Sequence, residues 1–145
     1  MNVCNDCRAE KQARLRTANP DKYRVEARTR YERNPLPYIM AAHNYRARLF
    51  SAVGSYTEQD AQRLLSEQQN RCYYCELDLT SVRKHLDHKI ALAIGGSNSA
   101  DNLCWACGPC NESKHDKTVA EFIAYRLRRG LHVRSALRQR RAMED

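Results

Sequence analysis

Cys72-Tyr73-Tyr74-Cys75, His85-Leu86-Asp87-His88 and Cys107-Gly108-Pro109-Cys110-Asn111 are the three stretches on which the fold of this chain turns. In each C-x-x-C pair two thiolates stand a short turn apart, the spacing that lets them share one face of a tetrahedral ion. Cys72, Cys75, Cys107 and Cys110 together make a complete four-thiolate zinc site. With no open coordination position, such a site is expected to hold the fold and do no chemistry. The 31 residues between the pairs exceed a compact zinc ribbon, so a substantial insert is looped out there, and that insert is where function is sought.

Working outward, six of the seven cysteines fall in C-x-x-C pairs and the first residues lack a basic stretch followed by an apolar one. Metal binding explains that spacing better than a secreted disulfide framework. Cys104 reads as a small buried hydrophobe beside Leu103 and Trp105. Cys4-Asn5-Asp6-Cys7 is a third knuckle without a partner pair, open to three readings: a remnant of a second ribbon, ligands shared with another chain, or no role.

At 145 residues the chain has room for one modest domain plus extensions. Its 25 Lys and Arg against 17 Asp and Glu give a net charge of +8, which points to a polyanionic partner. Residues 1–50 carry 11 basic and 5 acidic side chains, 51–117 carry 7 and 9, and 118–145 carry 7 and 3. The positive excess therefore lies in two flanks around an acidic centre, as phosphate-gripping arms around a metal site would be arranged, although two solvated charged helical ends would look the same. No apolar run nears the ~18 residues that cross a membrane, so a soluble, intracellular, cytoplasmic protein is expected (in a host cytoplasm if phage-encoded).

Residues 1–50 read as a basic helical arm. Asn19-Pro20 and Asn34-Pro35 each have the cap-then-proline order that starts a helix. Tyr23, Tyr31, Tyr38 and Tyr45 interleave with Arg24, Arg28, Arg30 and further arginines, a pattern suited to sugars, bases and phosphates. The central section, 51–117, opens with a helix from about 58 to 69 capped by Thr57, with Ala61, Leu64 and Leu65 facing inward. Short strands and loops follow, with the strand region at 82–92, and a short helix begins near Asn111. In 118–145, Thr118-x-x-Glu121 has capping-box spacing and opens a helix that stops at Gly130, leaving a basic tail with Arg134, Arg138, Arg140 and Arg141.

Within the insert, Asp87-His88 is followed by Gly95-Gly96-Ser97-Asn98, Asn102-Leu103, then Cys110-Asn111 and, three residues on, Lys114. This order resembles the HNH endonucleases over residues 72–114, about 30% of the chain. His-Leu-Asp-His is also similar to phage junction-resolving endonucleases with zinc knuckles. The resemblance implies an α+β fold: a small ββα-metal (HNH, His-Me finger) core stapled by the Cys₄ zinc site and flanked by basic helices. It implies His88 as general base, Asp87 and Asn111 as ligands of a catalytic divalent ion, and Asn102 as the brace of the loop that orients His88. It also puts Lys114 near phosphate or structural carbonyls, and implies products with a 5′-phosphate and a 3′-hydroxyl.

The chemistry of the residues agrees with those roles. Phosphodiester hydrolysis needs an activated water, which a histidine titrating near neutrality can deprotonate. It also needs charge neutralisation by a metal with open positions, and one carboxylate with one amide oxygen suits magnesium or manganese. Asn111 directly after a knuckle would serve equally as a helix cap. His85 shares the strand face of Asp87 and is a candidate phosphate contact. His115, four residues after Asn111, would join the metal shell if the helix continued. His43 and His132 read as incidental. The expected partner is double-stranded DNA; the rival reading is a zinc-knuckle DNA-binding protein without catalysis.

Overall fold

The computed structural model describes residues 4–141. The chain divides into two units, Met1–Tyr38 and Ile39–Asp145. In this division residues 39–50 and the C-terminal segment group with the central section.

The first unit contains helix α1 (Asn5–Ala18), helix α2 (Pro20–Arg33) and the start of α3 (Leu36–Leu49). The Cys4 thiol caps α1 by accepting the Cys7 backbone N–H at 3.2 Å. Pro20 opens α2 directly after Asn19, where its missing donor costs nothing, whereas α3 starts one residue beyond Pro35. Neither α1 nor α2 buries a residue, so both are held by backbone bonds and local pairs. Arg24 meets Asp21 at 3.5 Å, Arg28 meets Glu32 at 2.7 Å, and Arg30 donates to the Glu26 carbonyl.

The second unit is built on a two-stranded antiparallel sheet, β1 (Lys84–His88) with β2 (Leu103–Cys107), in register Asp87 to Cys104 and His88 to Leu103. Helix α4 (Glu58–Glu67) begins at the expected Thr57 cap, which forms a capping box with Asp60, and docks on β2. Trp105 Nε1 donates to the Ala61 carbonyl at 2.7 Å, and the Gln68 carboxamide accepts from the Trp105 N–H and donates to its carbonyl. Helix α5 (Gly108–Lys114) leaves β2 with no loop between them, because Cys107 is both the last strand residue and the helix cap, with Pro109 in the first turn. The short helix therefore starts at Gly108, earlier than expected, and ends at Lys114, where His115 adopts φ +52°.

Strand β1 is shorter than the expected 82–92. Ile90 gives its N–H and its carbonyl to the Asn102 carboxamide rather than to a strand partner, both at 2.9 Å. Gly96 comes so close that a Cβ there would strike the Ile90 carbonyl, which fixes glycine at that turn.

Helix α6 (Val119–Arg128) starts in the Thr118–Glu121 capping box and is followed by left-handed Gly130. The tail beyond it is more ordered than its composition suggested. Helix α7 (Ser135–Arg141) follows buried Val133, itself buries Leu137, and the Arg134 N–H donates to the Tyr74 carbonyl. The side chains of Arg140 and Arg141 lie outside the described residues. Tyr74, Leu79, Leu103, Phe122 and Val133 are fully buried, with the Tyr74 and Phe122 rings meeting edge-to-face.

Candidate active site and metal cluster

Both sites of the second unit use α5. The Sγ atoms of Cys72, Cys75, Cys107 and Cys110 all lie within 4.8 Å of one another. A zinc–sulfur bond of about 2.3 Å puts tetrahedral ligands about 3.8 Å apart, and Cys75 and Cys107 are 3.8 Å apart. Four converging thiols at the tetrahedral edge length can hold zinc. The Cys107 N–H reaches Cys72 Sγ at 3.4 Å, and buried Arg126 donates from Nη1 to Cys110 Sγ at 3.1 Å. Among the described residues, this is the cluster of three or more Cys, His, Asp or Glu side chains close enough to share an ion.

One helical turn along α5, the i+4 spacing from Cys110 brings Lys114 under β1. Its side chain is fully buried, with Nζ 2.8 Å from the His88 carbonyl and 3.3 Å from Asp87 Oδ2. Lys114 therefore does not reach a phosphate. Of the two expectations for it, the carbonyl contact is the one observed, with an ion pair added. Tyr74 donates its hydroxyl to the same Asp87 oxygen at 2.8 Å. Burial pushes the Asp87 carboxyl up, against the opposing pull of Lys114 and Tyr74. Both contacts fall on Oδ2, and Oδ1 accepts no hydrogen bond from the described residues.

Asn111 lies inside α5, beyond its Cys107 cap, so the capping alternative does not hold. Its Nδ2 donates to His85 Nδ1 at 3.3 Å, which leaves the amide oxygen free of hydrogen bonds among the described residues. His85 is thus engaged with Asn111, as its place on the Asp87 face of β1 allows. His115 has left the helix; its side chain is largely exposed and pairs with Asp116 at 2.9 Å.

Asp87, His88, Asn111, Glu112 and His115 line one cavity of about 480 Å³, with Arg46 and Phe50 beyond them on its wall. His88 points to the other face of β1 from Asp87. It is 5% exposed, and burial lowers its pKa below the usual histidine value, so the ring is neutral at pH 7. Its Nε2 lies 3.0 Å from Asn98 Oδ1, and Asn98 Nδ2 donates to Asn44 Oδ1 at 2.9 Å. Among the described residues the Asn102 side chain makes no hydrogen bond to His88. It ties Ile90 and the Ser97 carbonyl together through its side chain, and its own carbonyl accepts the Lys89 N–H at 2.7 Å.

His43, expected to be incidental, is buried with its ring centroid 4.6 Å from that of His88. The Tyr56 hydroxyl, its phenol pushed up to about 12 by burial, shares a hydrogen bond with His43 Nδ1 at 2.9 Å. Burial together with the His88 ring pushes His43 down to about 3. His132 lies elsewhere, on Glu76. Of the residues that sequence reasoning missed, Asn98 stands within the Gly-Gly-Ser-Asn turn, whereas His43, Asn44 and Arg46 precede β1 by some forty residues and carry no spacing that links them to it.

An antiparallel strand pair leading straight into a crossing helix, closed by four thiols, defines a ββα-metal core within an α+β protein. Residues 72–125 match the HNH endonuclease family model. Helices α1 to α4 lie outside the match. No curated protein matches the chain. No helix among the described residues is long and apolar enough to cross a membrane.

Proposed function

We propose that this protein is a metal-dependent endonuclease that hydrolyses DNA phosphodiester bonds, with His88 as general base. The observation that carries this reading is the convergence of a buried, neutral His88 with Asp87 and Asn111 on one cavity. Zinc on Cys72, Cys75, Cys107 and Cys110 is structural. The unclaimed oxygens Asp87 Oδ1 and Asn111 Oδ1 are hard donors that suit a magnesium or manganese ion. A divalent ion bound there supplies charge neutralisation at the phosphoryl and leaving oxygens.

His88 gives its Nε2–H to Asn98 and keeps the Nδ1 lone pair to take a proton from the attacking water. Lys114 and Tyr74 hold Asp87 in place, and Asn102 keeps the loop after β1 closed. Arg46, a cation on the cavity wall, meets the substrate phosphate, and Arg24, Arg28 and Arg30 hold the duplex backbone elsewhere.

The test is cleavage of supercoiled plasmid with magnesium or manganese. His88→Ala should lower kcat by roughly 10²–10⁴-fold in protein that melting and zinc content show to be folded. A wild type no faster than His88→Ala would overturn the enzyme reading in favour of a non-catalytic zinc-knuckle DNA-binding protein.

A further inference from the structure

The cavity histidine is held from outside the matched family segment. Asn98 is 1% exposed, and its carboxamide reaches His88 Nε2 with its oxygen and Asn44 Oδ1 with its nitrogen. A carboxamide presents an acceptor at one end and two donors at the other, so the way Asn98 faces decides whether His88 Nε2 must donate or accept. With an acceptor at the nitrogen end, the oxygen faces His88, and Nε2 must carry the hydrogen. The lone pair then sits on Nδ1. Were Asn98 turned over, its NH₂ would meet Nε2 and force the hydrogen onto Nδ1, leaving that atom unable to accept a proton.

The neighbouring residue on α3 completes the support. His43 packs against the His88 ring and is itself tied to the Tyr56 hydroxyl, so the imidazole cannot swing toward α3. These interactions come from the stretch 39–50, which the sequence assigns to a DNA-binding arm.

We propose that Asn44 is a positioning residue of the nuclease site: through Asn98 it holds His88 in the Nε2-protonated tautomer that leaves Nδ1 free to act as base. This rests on the proposed role of His88, and the positioning is separable from it. Ordering a base through a partner behind it is worth roughly 10–100-fold in rate where comparable outer partners have been removed.

The experiment uses the full chain with ¹⁵N-labelled histidine, read by long-range proton–nitrogen spectra at pH 8, alongside plasmid-cleavage kinetics. Wild type should show Nε2–H at His88. Asn44→Ala, a truncation that helix α3 tolerates, should shift His88 toward Nδ1–H or a mixture and lower kcat about 10-fold or more, with KM unchanged. Asn44→Asp, an acceptor at both oxygens, should restore the wild-type tautomer and most of kcat. Melting and zinc content report whether each variant is folded, and Asn44→Ser is the second truncation.

The proposal is overturned if wild type already carries Nδ1–H at His88, or if Asn44→Ala loses activity with the tautomer unchanged. A folded Asn44→Ala with wild-type tautomer and kcat overturns it equally. An inactive wild type would sink the nuclease reading alone, because the tautomer spectrum still decides the positioning.

Discussion

Helix α5 serves two sites within seven residues, and they obey opposite rules. Cys107 and Cys110 join Cys72 and Cys75 in a closed set of four like ligands, with nothing left over. Asn111 and Lys114, on the same short helix, belong to a mixed set of amide, carboxylate, imidazole and ammonium groups in which some oxygens remain unclaimed. A closed set stabilises; an incomplete one can accept substrate and metal. The difference lies in which side chains are finished by the protein itself.

The largest expected effect breaks the closed set. Cys72→Ser, or chelation at neutral pH, should abolish the cooperative melt of the second unit and with it the cavity. Structural zinc contributes on the order of 10 kcal/mol, comparable to the whole stability of a small domain. Circular dichroism and metal analysis check this, and a folded, zinc-free Cys72→Ser would remove the structural role of the cluster.

Next comes the ion pair inside the mixed set, between α5 and β1. Lys114→Met leaves a buried carboxylate at Asp87 without its cation, a loss of roughly 3–5 kcal/mol in denaturant titrations. Adding Asp87→Asn should recover much of it while keeping cleavage abolished. Full stability in the single variant would show that the ion pair is not holding β1 to α5.

A smaller effect separates the wall behind His88 from both sets. His43 titrates near 3 when folded and near its ordinary 6.5 when unfolded. Below pH 6.5 the unfolded chain therefore takes up a proton that the folded chain refuses. Stability falls as pH drops from 6.5 toward 3, by at most about 1.4 kcal/mol per pH unit, and is insensitive to this group above 6.5. His43→Gln should flatten that slope relative to wild type; an identical acid limb in the two proteins would exclude His43 as its source.

The smallest effect on stability is expected outside both sites. Arg24→Ala, Arg28→Ala and Arg30→Ala combined should leave melting and kcat unchanged, because their exposed local pairs contribute little. The salt dependence of DNA binding should become shallower, its log–log slope falling by about 0.9 for each phosphate that the variant no longer neutralises. An unchanged slope would remove these residues from the DNA interface.

These contrasts also explain what the sequence could disclose. The thiol cluster, Asp87, His88 and Asn111 are legible because each sits at a fixed short spacing from a knuckle or a glycine turn. Lys114 stands at a recognisable position, but its orientation is not legible: only the packing of α5 under β1 decides that its charge turns inward. The start of α5 is masked because Cys107-Gly108-Pro109-Cys110 reads first as a knuckle, although Pro109 also suits a first helical turn. His43 and Asn44 escape notice for a different reason. Their function depends on where α3 packs, and no local period records an interaction made across more than forty residues.

Arg126 carries one more consequence. Four thiolates around a divalent zinc would leave a double negative charge, and the guanidinium that donates to Cys110 Sγ would spread part of it away from that sulfur. A thiolate that shares its lone pair is a poorer nucleophile, and Cys110 is fully buried while Cys75 is half-buried. Oxidants and alkylating reagents should therefore meet the four ligands in a definite order, with Cys75 modified first and Cys110 surviving longest.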